Sequence, residues 1–370
     1  MTPVSNDPAT ATGSHAPTET ADMEAAWLAL DKAIRAADRI LLSTHENPDG
    51  DGVGSQLAFN EHLESLGKEC RILNYTEVPT IYEFLDPHGW LEVYDPERDG
   101  AWLAACDLAI VFDLGNFRRL EAVGRDLCRH NVALAAIDHH PQSDFDGLGG
   151  KLPYRYLILD YSASSTGTLV WEYLKTYRSE PLTLTMAEAL YTALVTDTGS
   201  FRYDNTDERA HLMAIDLLKA GVKPYNVHRQ VYEQTERSQV SLLGVLTNNL
   251  QYSGDGRIGW CALTQDMLAG AGATRKDVDG FSDFIRTIKG VEVAVLLTEV
   301  DGDKTKVNLR SKGNLAINDV AQKLGGGGHP FASGAFVEQP WGEVIEILLP
   351  LLEEKVKTMD NVGEGAISGS

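Results

Sequence analysis

The sequence has little positive charge. Its 370 residues include 32 Lys and Arg against 54 Asp and Glu, a formal net charge of −22 at pH 7. Broad binding to duplex nucleic acid depends on many Lys and Arg side chains that displace the counterions of the phosphate backbone. The acidic balance therefore argues against a protein that grips long duplex nucleic acid, and any phosphate-bearing ligand would need metal ions or a few placed cations.

Long apolar segments and paired cysteines are also missing. The most apolar stretches, 291–297 and 344–352, fall short of the roughly 18 residues that a membrane span needs. Residues 1–22 lack the basic start and apolar centre of a secretory signal, and their Thr, Ala, Pro and Ser content predicts a disordered tail. The four cysteines form no CxxC pair, which favours buried free thiols in a reducing compartment. We therefore expect a cytoplasmic protein.

After the tail, the pattern predicts a fold of alternating strands and helices. Short apolar runs at 39–43, 70–75, 108–112 and 132–137 read as strands, and helical patterns such as 53–66 separate them. This alternation predicts an α/β fold with a doubly wound, mostly parallel sheet. Ligands of such sheets gather at the carboxyl ends of the strands.

Later in the chain the pattern changes to hairpins, at 251–263 and 291–310, after a long helical stretch. We therefore predict a smaller C-terminal α/β domain, placed across a cleft from the first domain. The predicted organisation is a disordered tail at 1–22, a larger domain at 23–220, a helical connector at 221–250, the smaller domain at 251–357 and a flexible tail at 358–370.

Acidic and imidazole side chains follow three of the predicted strands. They are His45, Asp49 and Asp51 after the first strand, Asp113 after the strand at 108–112, and Asp138, His139 and His140 after the strand at 132–137. Adjacent parallel strands bring their carboxyl ends together, so we expect these side chains to meet, joined by Asp197 from a later loop. Each segment alone has an ordinary alternative: an Asp/Gly turn, a surface histidine pair or a helix end. The recurrence at three strand ends favours one shared site.

Carboxylates and imidazoles together form a ligand set that suits Mn²⁺, Mg²⁺ and similar divalent ions. The segment after the first strand also matches the start of an EF-hand calcium loop, but its twelfth position is Ala58 instead of Glu, which excludes that alternative. So many neighbouring carboxylates need compensating positive charge. Two divalent ions about 3.5–4 Å apart would supply it, activate water and hold a phosphoryl group, so the pattern predicts phosphoester hydrolysis.

A glycine run at 325–328, followed by a histidine, predicts a phosphate-binding loop in the smaller domain. Successive backbone N–H groups of such a loop can point at one anion, although a flexible linker is the alternative. A local basic segment nearby could contact phosphate, or could be a solvated hairpin edge. The candidate substrate-binding residues of this domain are Arg310, Ser311, Gly326, Gly327, Gly328 and His329.

Taken in order, these motifs resemble the DHH phosphoesterase superfamily. The residues that carry the resemblance are His45, Pro48, Asp49, Asp51, Gly54 and Ser55, then Asp113, then Asp138-His139-His140, then Asp197 with Thr198 and Gly199. The glycine run with His329 resembles the DHHA1 substrate-binding domain. The resemblance spans roughly residues 23–357, without the extra domains of RecJ-type exonucleases, and points to the nanoRNase/pAp-phosphatase group.

The resemblance implies two divalent ions, normally Mn²⁺, with Mg²⁺ or Co²⁺ as alternatives. His45, Asp49 and Asp113 would hold one ion, and Asp51, Asp113, His139 and Asp197 would hold the other, with Asp113 as the bridge. Among the catalytic residues, His140 is expected near the scissile phosphate and Asp138 is expected to orient the histidine pair. Arg202 could reach a substrate phosphate.

The resemblance also implies the substrates: short single-stranded oligoribonucleotides, cut to mononucleotides, and 3′-phosphoadenosine 5′-phosphate (pAp), converted to AMP. A substrate of a few nucleotides agrees with the acidic charge, since it needs no long basic groove. Two alternatives stay open. One is a phosphodiesterase for cyclic dinucleotides or their linear products, and the other is a catalytically inactive nucleotide- or RNA-binding protein. No membrane partner is expected, and a homodimer is a candidate assembly.

Overall fold

The computed structural model describes residues 20–140, 153–301 and 303–365. The chain divides into two compact units, with the boundary between Gln234 and Thr235, and each unit contains one six-stranded sheet. The tail predicted at 1–22 lies outside the described residues except for its last three, which begin the first helix.

A parallel sheet forms the centre of the first unit. Its strands are β1 (Arg39–Thr44), β2 (Glu69–Asn74), β3 (Leu91–Val93), β4 (Leu108–Phe112), β5 (Ala133–Asp138) and β6 (Tyr156–Leu159). The spatial order is β3-β2-β1-β4-β5-β6, and every neighbouring pair is parallel. The direction in which the strands are added therefore reverses between β1 and β4.

Helices cover both faces of this sheet. Successive residues of a strand point to opposite sides, so strands that are apolar throughout give the sheet two apolar faces to bury. Ile40 and Leu42 of β1 belong to one buried apolar cluster, whereas Leu41 belongs to another. The helices are α1 (Thr20–Ala36), α2 (Gly50–Ser65), α3 (Pro96–Ala104), α4 (Glu121–Arg129), α5 (Thr166–Tyr177), α6 (Leu184–Asp197), α7 (Glu208–Lys219) and α8 (Pro224–Tyr232). The predicted α/β fold with a doubly wound, mostly parallel sheet is confirmed.

Helices α2 and α6 approach each other closely because glycines lie at their contact. A Cβ atom on Gly54 would overlap the carbonyl oxygen of Ala189, and one on Gly50 would lie 2.5 Å from the Thr196 hydroxyl. Cβ contacts this short are essentially never found. The close approach brings the first turn of α2 beside the last turn of α6, where two of the predicted ligands lie.

Three elements of the first unit are missing from the sequence-based prediction: β3, α3 and β6. Both strands are short and only partly buried, so they carry little apolar pattern. Helix α3 buries only Asp99 and Leu103, which leaves it without a clear apolar stripe. Its start does carry local cues, since Asp95 caps it and Pro96 occupies the first turn.

The helical connector predicted at 221–250 is corrected to two helices, α8 and α9 (Arg237–Asn249). The break falls on residues 233–236, four polar residues that offer no apolar face on which a helix could continue. The boundary between the two units lies in this break. Helix α8 therefore belongs to the first unit and α9 to the second.

The second unit contains a mixed sheet. Its strands are β7 (Gln251–Ser253), β8 (Ile258–Leu263), β9 (Val293–Val300), β10 (Lys304–Ser311), β11 (Gly327–His329) and β12 (Ala332–Val337). The order is β11-β12-β10-β9-β8-β7, and only the β8–β9 pair is parallel. The antiparallel pairs β7–β8 and β9–β10 are the two predicted hairpins.

Helices cover both faces of this second sheet as well. Leu296 of β9 belongs to the buried cluster that includes α9, whereas Leu297 belongs to a cluster on the other face. The remaining helices are α10 (Gln265–Gly270), α11 (Phe281–Arg286), α12 (Asn318–Lys323) and α13 (Trp341–Gly365). Helix α13 runs past the boundary expected at residue 357, because no Gly or Pro interrupts the chain between Pro350 and Gly363.

No helix of the described chain is both long and apolar enough to cross a bilayer. The four cysteines are unpaired, and Cys106 and Cys261 are buried. Cys70 is partly buried. The expectation of buried thiols is wrong for Cys128, which is exposed because it faces outwards in the last turn of α4.

The contact between α2 and α6 makes a stability prediction. Gly54→Ala should lower the free energy of unfolding by about 1–3 kcal/mol, because the added methyl group overlaps a backbone oxygen in a tightly packed contact. Gly100→Ala in α3 is the matched control, since its Cβ would meet only the Tyr94 hydroxyl at 3.9 Å. That variant should be neutral or stabilised by up to about 1 kcal/mol. Urea unfolding followed by circular dichroism compares the two, and equal stabilities would contradict the close approach.

Candidate metal centre

The predicted ligands gather at the carboxyl edge of the parallel sheet, at the point where the strand order reverses. Strand β1 ends at Thr44 and leads into His45, and β4 ends at Phe112 and leads into Asp113. The crevice at such a reversal is the usual ligand-binding position in doubly wound sheets. The topology therefore places both residues where a ligand would bind.

The turn between β1 and α2 holds two of the side chains. Asp49 caps α2: its Oδ1 accepts the N–H of Asp51 at 3.0 Å and the N–H of Gly52 at 3.2 Å. Its other oxygen, Oδ2, lies 3.7 Å from Nε2 of the buried His45. One carboxylate thus caps the start of the helix and also faces the imidazole.

Asp51 is a buried carboxylate between two helix N-termini. It lies in the first turn of α2, and it accepts the N–H groups of Thr166 at 2.6 Å and Gly167 at 2.8 Å from the first turn of α5. Helix N-termini stabilise negative charge. Burial and the neighbouring carboxylates, Asp113 foremost, nevertheless raise the pKa of Asp51 well above its usual range. This carboxylate therefore needs further positive charge to stay ionised.

Asp113 lies at the centre of the site. Its side chain is almost fully buried, and its φ of 53° lies in the left-handed region, which Asp tolerates better than most residues. Its Oδ2 lies 3.6 Å from Nε2 of His45, and its Oδ1 lies 3.6 Å from Nε2 of His139. The two oxygens of one carboxylate therefore face two different imidazoles.

His139 and Asp197 come together from β5 and the end of α6. Nε2 of His139 lies 3.4 Å from Asp197 Oδ2 and 3.8 Å from Asp51 Oδ2. The other ring nitrogen, Nδ1, lies 3.1 Å from the carbonyl oxygen of Ala163, which can only accept a hydrogen bond. Nδ1 therefore carries a proton, and Nε2 faces the carboxylates, which is the ring orientation of histidines that bind metals.

Asp138 orients His140 and the loop after β4. Its Oδ1 accepts the backbone N–H of His140 at 3.0 Å and lies 2.8 Å from Nδ1 of the same residue. Its Oδ2 accepts the N–H groups of Leu114 and Gly115 at 2.9 and 2.8 Å. Asp138 was expected to orient both histidines, but its side chain contacts only the ring of His140, and the ring of His139 is held by the Ala163 carbonyl instead.

Two groups of candidate ligands with no residue in common emerge from these contacts, and a third group, Asp113, His139 and His140, overlaps both. The first consists of His45, Asp49 and Asp113, and the second consists of Asp51, His139 and Asp197. Within each group, the candidate ligand atoms lie within 4.8 Å of one another. Asp113 belongs to the first group and also lies beside His139 of the second. The structure therefore brings together all six residues predicted to bind metal. Asp113, which the resemblance also places in the second set, lies beside that set at His139, and metal binding by the six residues stays a prediction.

The electrostatics of the two groups fit divalent cations. Burial raises the pKa of Asp197 to about 7, although the charge of His139 opposes the shift. Burial would lower the pKa of His45, but its contacts with Asp113 and Asp49 raise it to about 9. Carboxylates at this density thus hold an imidazole in its cationic form. Two divalent ions would meet the same demand for positive charge, with oxygen and nitrogen donors that suit them.

Comparison with known proteins identifies the family. The models of the DHH family, N-terminal domain, and of the DHHA1 domain match residues 39–194 and 261–358. A protein of Bacillus subtilis (strain 168), named bifunctional oligoribonuclease and PAP phosphatase NrnA, is 31% identical over 323 residues, which cover 86% of this chain and 96% of that protein. This chain belongs to the DHH–DHHA1 family. The signature of the family in this chain is Asp138-His139-His140.

Two further similarities extend over most of the chain. A Thermus thermophilus protein, also named bifunctional oligoribonuclease and PAP phosphatase NrnA, is 31% identical over 309 residues, 80% of this chain and 83% of that protein. The crystal structure of an exopolyphosphatase-related protein from Bacteroides fragilis matches with a TM-score of 0.83 at 24% identity, covering 90% of this chain and 98% of that chain. The expected DHH phosphoesterase membership and the two-domain α/β fold are thereby confirmed.

The residues predicted to bind substrate are divided between the units of this DHH–DHHA1 chain. Arg202 is exposed in the first unit, where its Nε donates to the carbonyl of Gly199 at 2.6 Å. In the second unit, Nε of Arg310 lies 3.4 Å from Asp283 Oδ2. Ser311 is only 1% exposed and its hydroxyl accepts a long hydrogen bond from an N–H group. Their roles as substrate contacts stay predictions.

The glycine run has a different backbone from the predicted loop. Residues Gly327–His329 form β11, which pairs with β12 in a hairpin whose exposed tip includes His329. A Cβ on Gly326 would overlap the carbonyl oxygen of Gly334, so close strand approach explains this glycine. The loop conformation is corrected because antiparallel pairing directs backbone groups towards the partner strand. The proposed contacts of Gly326, Gly327, Gly328 and His329 with phosphate stay predictions.

The sequence did not predict the groups that orient the predicted ligand residues through hydrogen bonds. They are the Ala163 carbonyl, the N–H groups of Thr166 and Gly167, and the side chains of Arg119 and Asn205. Most of these contacts are made by or to the backbone, which leaves little trace in residue type. Ser165 caps α5, but a capping residue does not show which carboxylate will lie at that N-terminus.

The raised pKa of Asp197 predicts a stability that depends on pH. Between about pH 4 and pH 7 the folded protein binds a proton that the unfolded chain has lost, so stability falls as the pH rises through this range. Asn cannot ionise. With EDTA present, Asp197→Asn should therefore raise Tm relative to wild type more near pH 8 than near pH 4.

Differential scanning calorimetry at the two pH values checks this expectation. Asp204→Asn, which changes an exposed carboxylate of the same unit, is the matched control and should show no such pH-dependent gain. Added Mn²⁺ should stabilise the wild type more than Asp197→Asn. A gain for Asp197→Asn that is the same at both pH values would contradict the raised pKa.

Proposed function

We propose that the protein is a metal-dependent phosphoesterase that hydrolyses short oligoribonucleotides to mononucleotides and 3′-phosphoadenosine 5′-phosphate to AMP. The observation that carries the proposal is the position of Asp113, whose two oxygens face the two ligand groups. Relatives that cover 80% or more of this chain are named bifunctional oligoribonuclease and PAP phosphatase. Site and relatives thus support the same reaction class.

We assign two divalent ions to the ligand groups, with Mn²⁺ as the expected metal and Mg²⁺ and Co²⁺ as alternatives. The mixture of imidazole nitrogen and carboxylate oxygen suits Mn²⁺ better than it suits Mg²⁺, because Mg²⁺ prefers ligand sets made only of oxygen. When bound, such a pair supplies an activated water and positive charge at the attacked phosphoryl group.

The protein side chains have separable roles in this proposal. Asp113 sets the spacing between the two ligand groups, because each of its oxygens serves one of them. His140 is the proton donor for the leaving oxygen: burial would lower the pKa of His140, but its hydrogen bond to Asp138 and the charge of Asp113 raise it to about 9. With Nδ1 held by Asp138, Nε2 of His140 is the atom that transfers the proton.

Substrate length follows from charge. A net charge of −22 opposes the approach of a long polyanion, whereas a substrate of a few nucleotides needs only local neutralisation. We assign phosphate contacts to Arg202 in the first unit and to Arg310, Ser311, Gly326, Gly327, Gly328 and His329 in the second. A cytoplasmic location and a homodimeric assembly remain predictions that accompany this function.

The substrate assignment is tested directly on purified protein loaded with Mn²⁺. We expect mononucleotides from di- to pentaribonucleotides and AMP from 3′-phosphoadenosine 5′-phosphate, with products separated by ion-exchange chromatography. Asp113→Ala should reduce turnover to background because it removes ligand atoms from both groups. Asp266→Ala, at an exposed carboxylate in α10, is the control and should keep wild-type rates.

Each alternative has its own outcome in that assay. Faster turnover of cyclic than of linear dinucleotides would favour a cyclic-dinucleotide phosphodiesterase. Tight binding of nucleotides and Mn²⁺ without turnover of any substrate would favour an inactive binding protein. Wild-type activity in Asp113→Ala would refute the bridging role of that residue.

The second unit offers a test of substrate anchoring. Arg310→Ala should raise KM for 3′-phosphoadenosine 5′-phosphate about tenfold and leave kcat within about twofold, because a lost phosphate contact weakens binding more than chemistry. Arg286→Ala is the matched control, since Arg286 pairs with the same Asp283 carboxylate as Arg310. Steady-state kinetics compare the two variants. An unchanged KM in Arg310→Ala would remove Arg310 from the substrate site.

A further inference from the structure

Asn205, between α6 and α7, makes two hydrogen bonds that connect distant parts of the first unit. Its amide nitrogen Nδ2 donates to the carbonyl of Ser164 at 2.9 Å and to the carbonyl of Asp197 at 3.1 Å. Both partners can only accept hydrogen bonds, so the nitrogen of the amide, and not its oxygen, must face them. The orientation of the side chain is therefore determined by its neighbours.

The two carbonyls belong to the segments that present one ligand pair. Asp197 carries a carboxylate whose Oδ2 lies 3.4 Å from His139 Nε2. Ser164 directly follows Ala163, whose carbonyl oxygen receives the Nδ1–H of His139. Asn205 thus binds the backbone of Asp197 and the backbone next to the carbonyl group that orients His139.

A second contact strengthens this connection. The hydroxyl of the fully buried Ser164 donates to Asp207 Oδ1 at 3.2 Å, and the same oxygen caps α7 by accepting the N–H of Ala210 at 2.9 Å. Residues 205–207 therefore make hydrogen bonds with both the carbonyl and the hydroxyl of Ser164. The start of α7 anchors the loop that orients His139.

The oxygen of the Asn205 amide also indicates that the side chain serves to hold the two carbonyls. Oδ1 is buried and has no hydrogen-bond partner among the described residues. Leaving a buried acceptor unpaired costs free energy. The side chain therefore keeps its two donated hydrogen bonds although its own oxygen is left without one.

We propose that Asn205 is a positioning residue that sets the separation of His139 Nε2 and Asp197 Oδ2, and through it the affinity of the second ligand group for a divalent ion. This inference rests on the proposed function only in taking that group as an ion site. Asn205 itself donates to backbone carbonyls, so its effect on the ion is indirect.

The first test measures Mn²⁺ binding by calorimetry and electron paramagnetic resonance, without substrate. The wild type should bind two ions. Asn205→Ala removes both bonds, and Asn205→Asp places a carboxylate oxygen against two carbonyls; each variant should bind one ion about 10–100-fold more weakly and the other within about twofold. Asn249→Ala is the matched control, since Asn249 also donates to a backbone carbonyl, at 2.8 Å, but in α9. It should bind both ions as the wild type does.

The second test needs no metal. Crystal structures of the wild type and Asn205→Ala, both prepared with EDTA, compare the distance between His139 Nε2 and Asp197 Oδ2, which is 3.4 Å here. The proposal requires this distance to increase by about 1 Å or more in the variant. An unchanged distance, or two ions bound with wild-type affinity by both variants, would overturn it.

The outcomes separate this proposal from the proposed function. If the wild type turns over none of the substrates but Asn205→Ala still loses affinity for one ion, the function fails and the positioning role stands. If the wild type is active and the variants bind both ions normally, the positioning role fails and the function stands. If the wild type binds no ion, the two crystal structures still decide the role of Asn205.

Discussion

Like charges crowd one edge of a parallel sheet in this protein, and much of the first unit serves to hold them there. Asp51 and Asp113 are buried, and Asp49 and Asp197 lie beside them. Bringing carboxylates this close costs free energy unless positive charge compensates it. The fold supplies part of that charge through helix N-termini and imidazoles, and two divalent ions would supply the rest.

The scaffold reaches this geometry by close packing at a few points. The parallel sheet places His45 and Asp113 on neighbouring strand ends, and the glycine contact between α2 and α6 brings Asp51 towards Asp197. The N-terminus of α5 then meets Asp51. A methyl group at the α2–α6 contact would separate these two carboxylates, so the geometry of the second ligand group depends on core packing.

Sequence patterns predicted four strands of the parallel sheet and the six side chains that the structure brings together, because both depend on residue type. Buried parallel strands need continuous apolar runs, and divalent ions prefer carboxylate and imidazole side chains. The break at residues 233–236 and the strand at Gly327–His329 were mispredicted, since neither polar composition nor a run of glycines specifies a backbone path. The Ala163 carbonyl and the N–H groups of α5 could not be predicted, because every residue type offers such groups.

The sequence by itself determined the family, the alternation of strands and helices, and the residues of the two ligand groups, since these follow from the order and chemistry of side chains. Only the tertiary structure decided how those ligands are oriented. That Asp138 serves His140 alone, that Ala163 sets the tautomer of His139, and that Asn205 connects both sides of the second group depend on contacts between distant segments. Hydrogen bonds to backbone carbonyls are directional, so their effect exists only once the chain has folded.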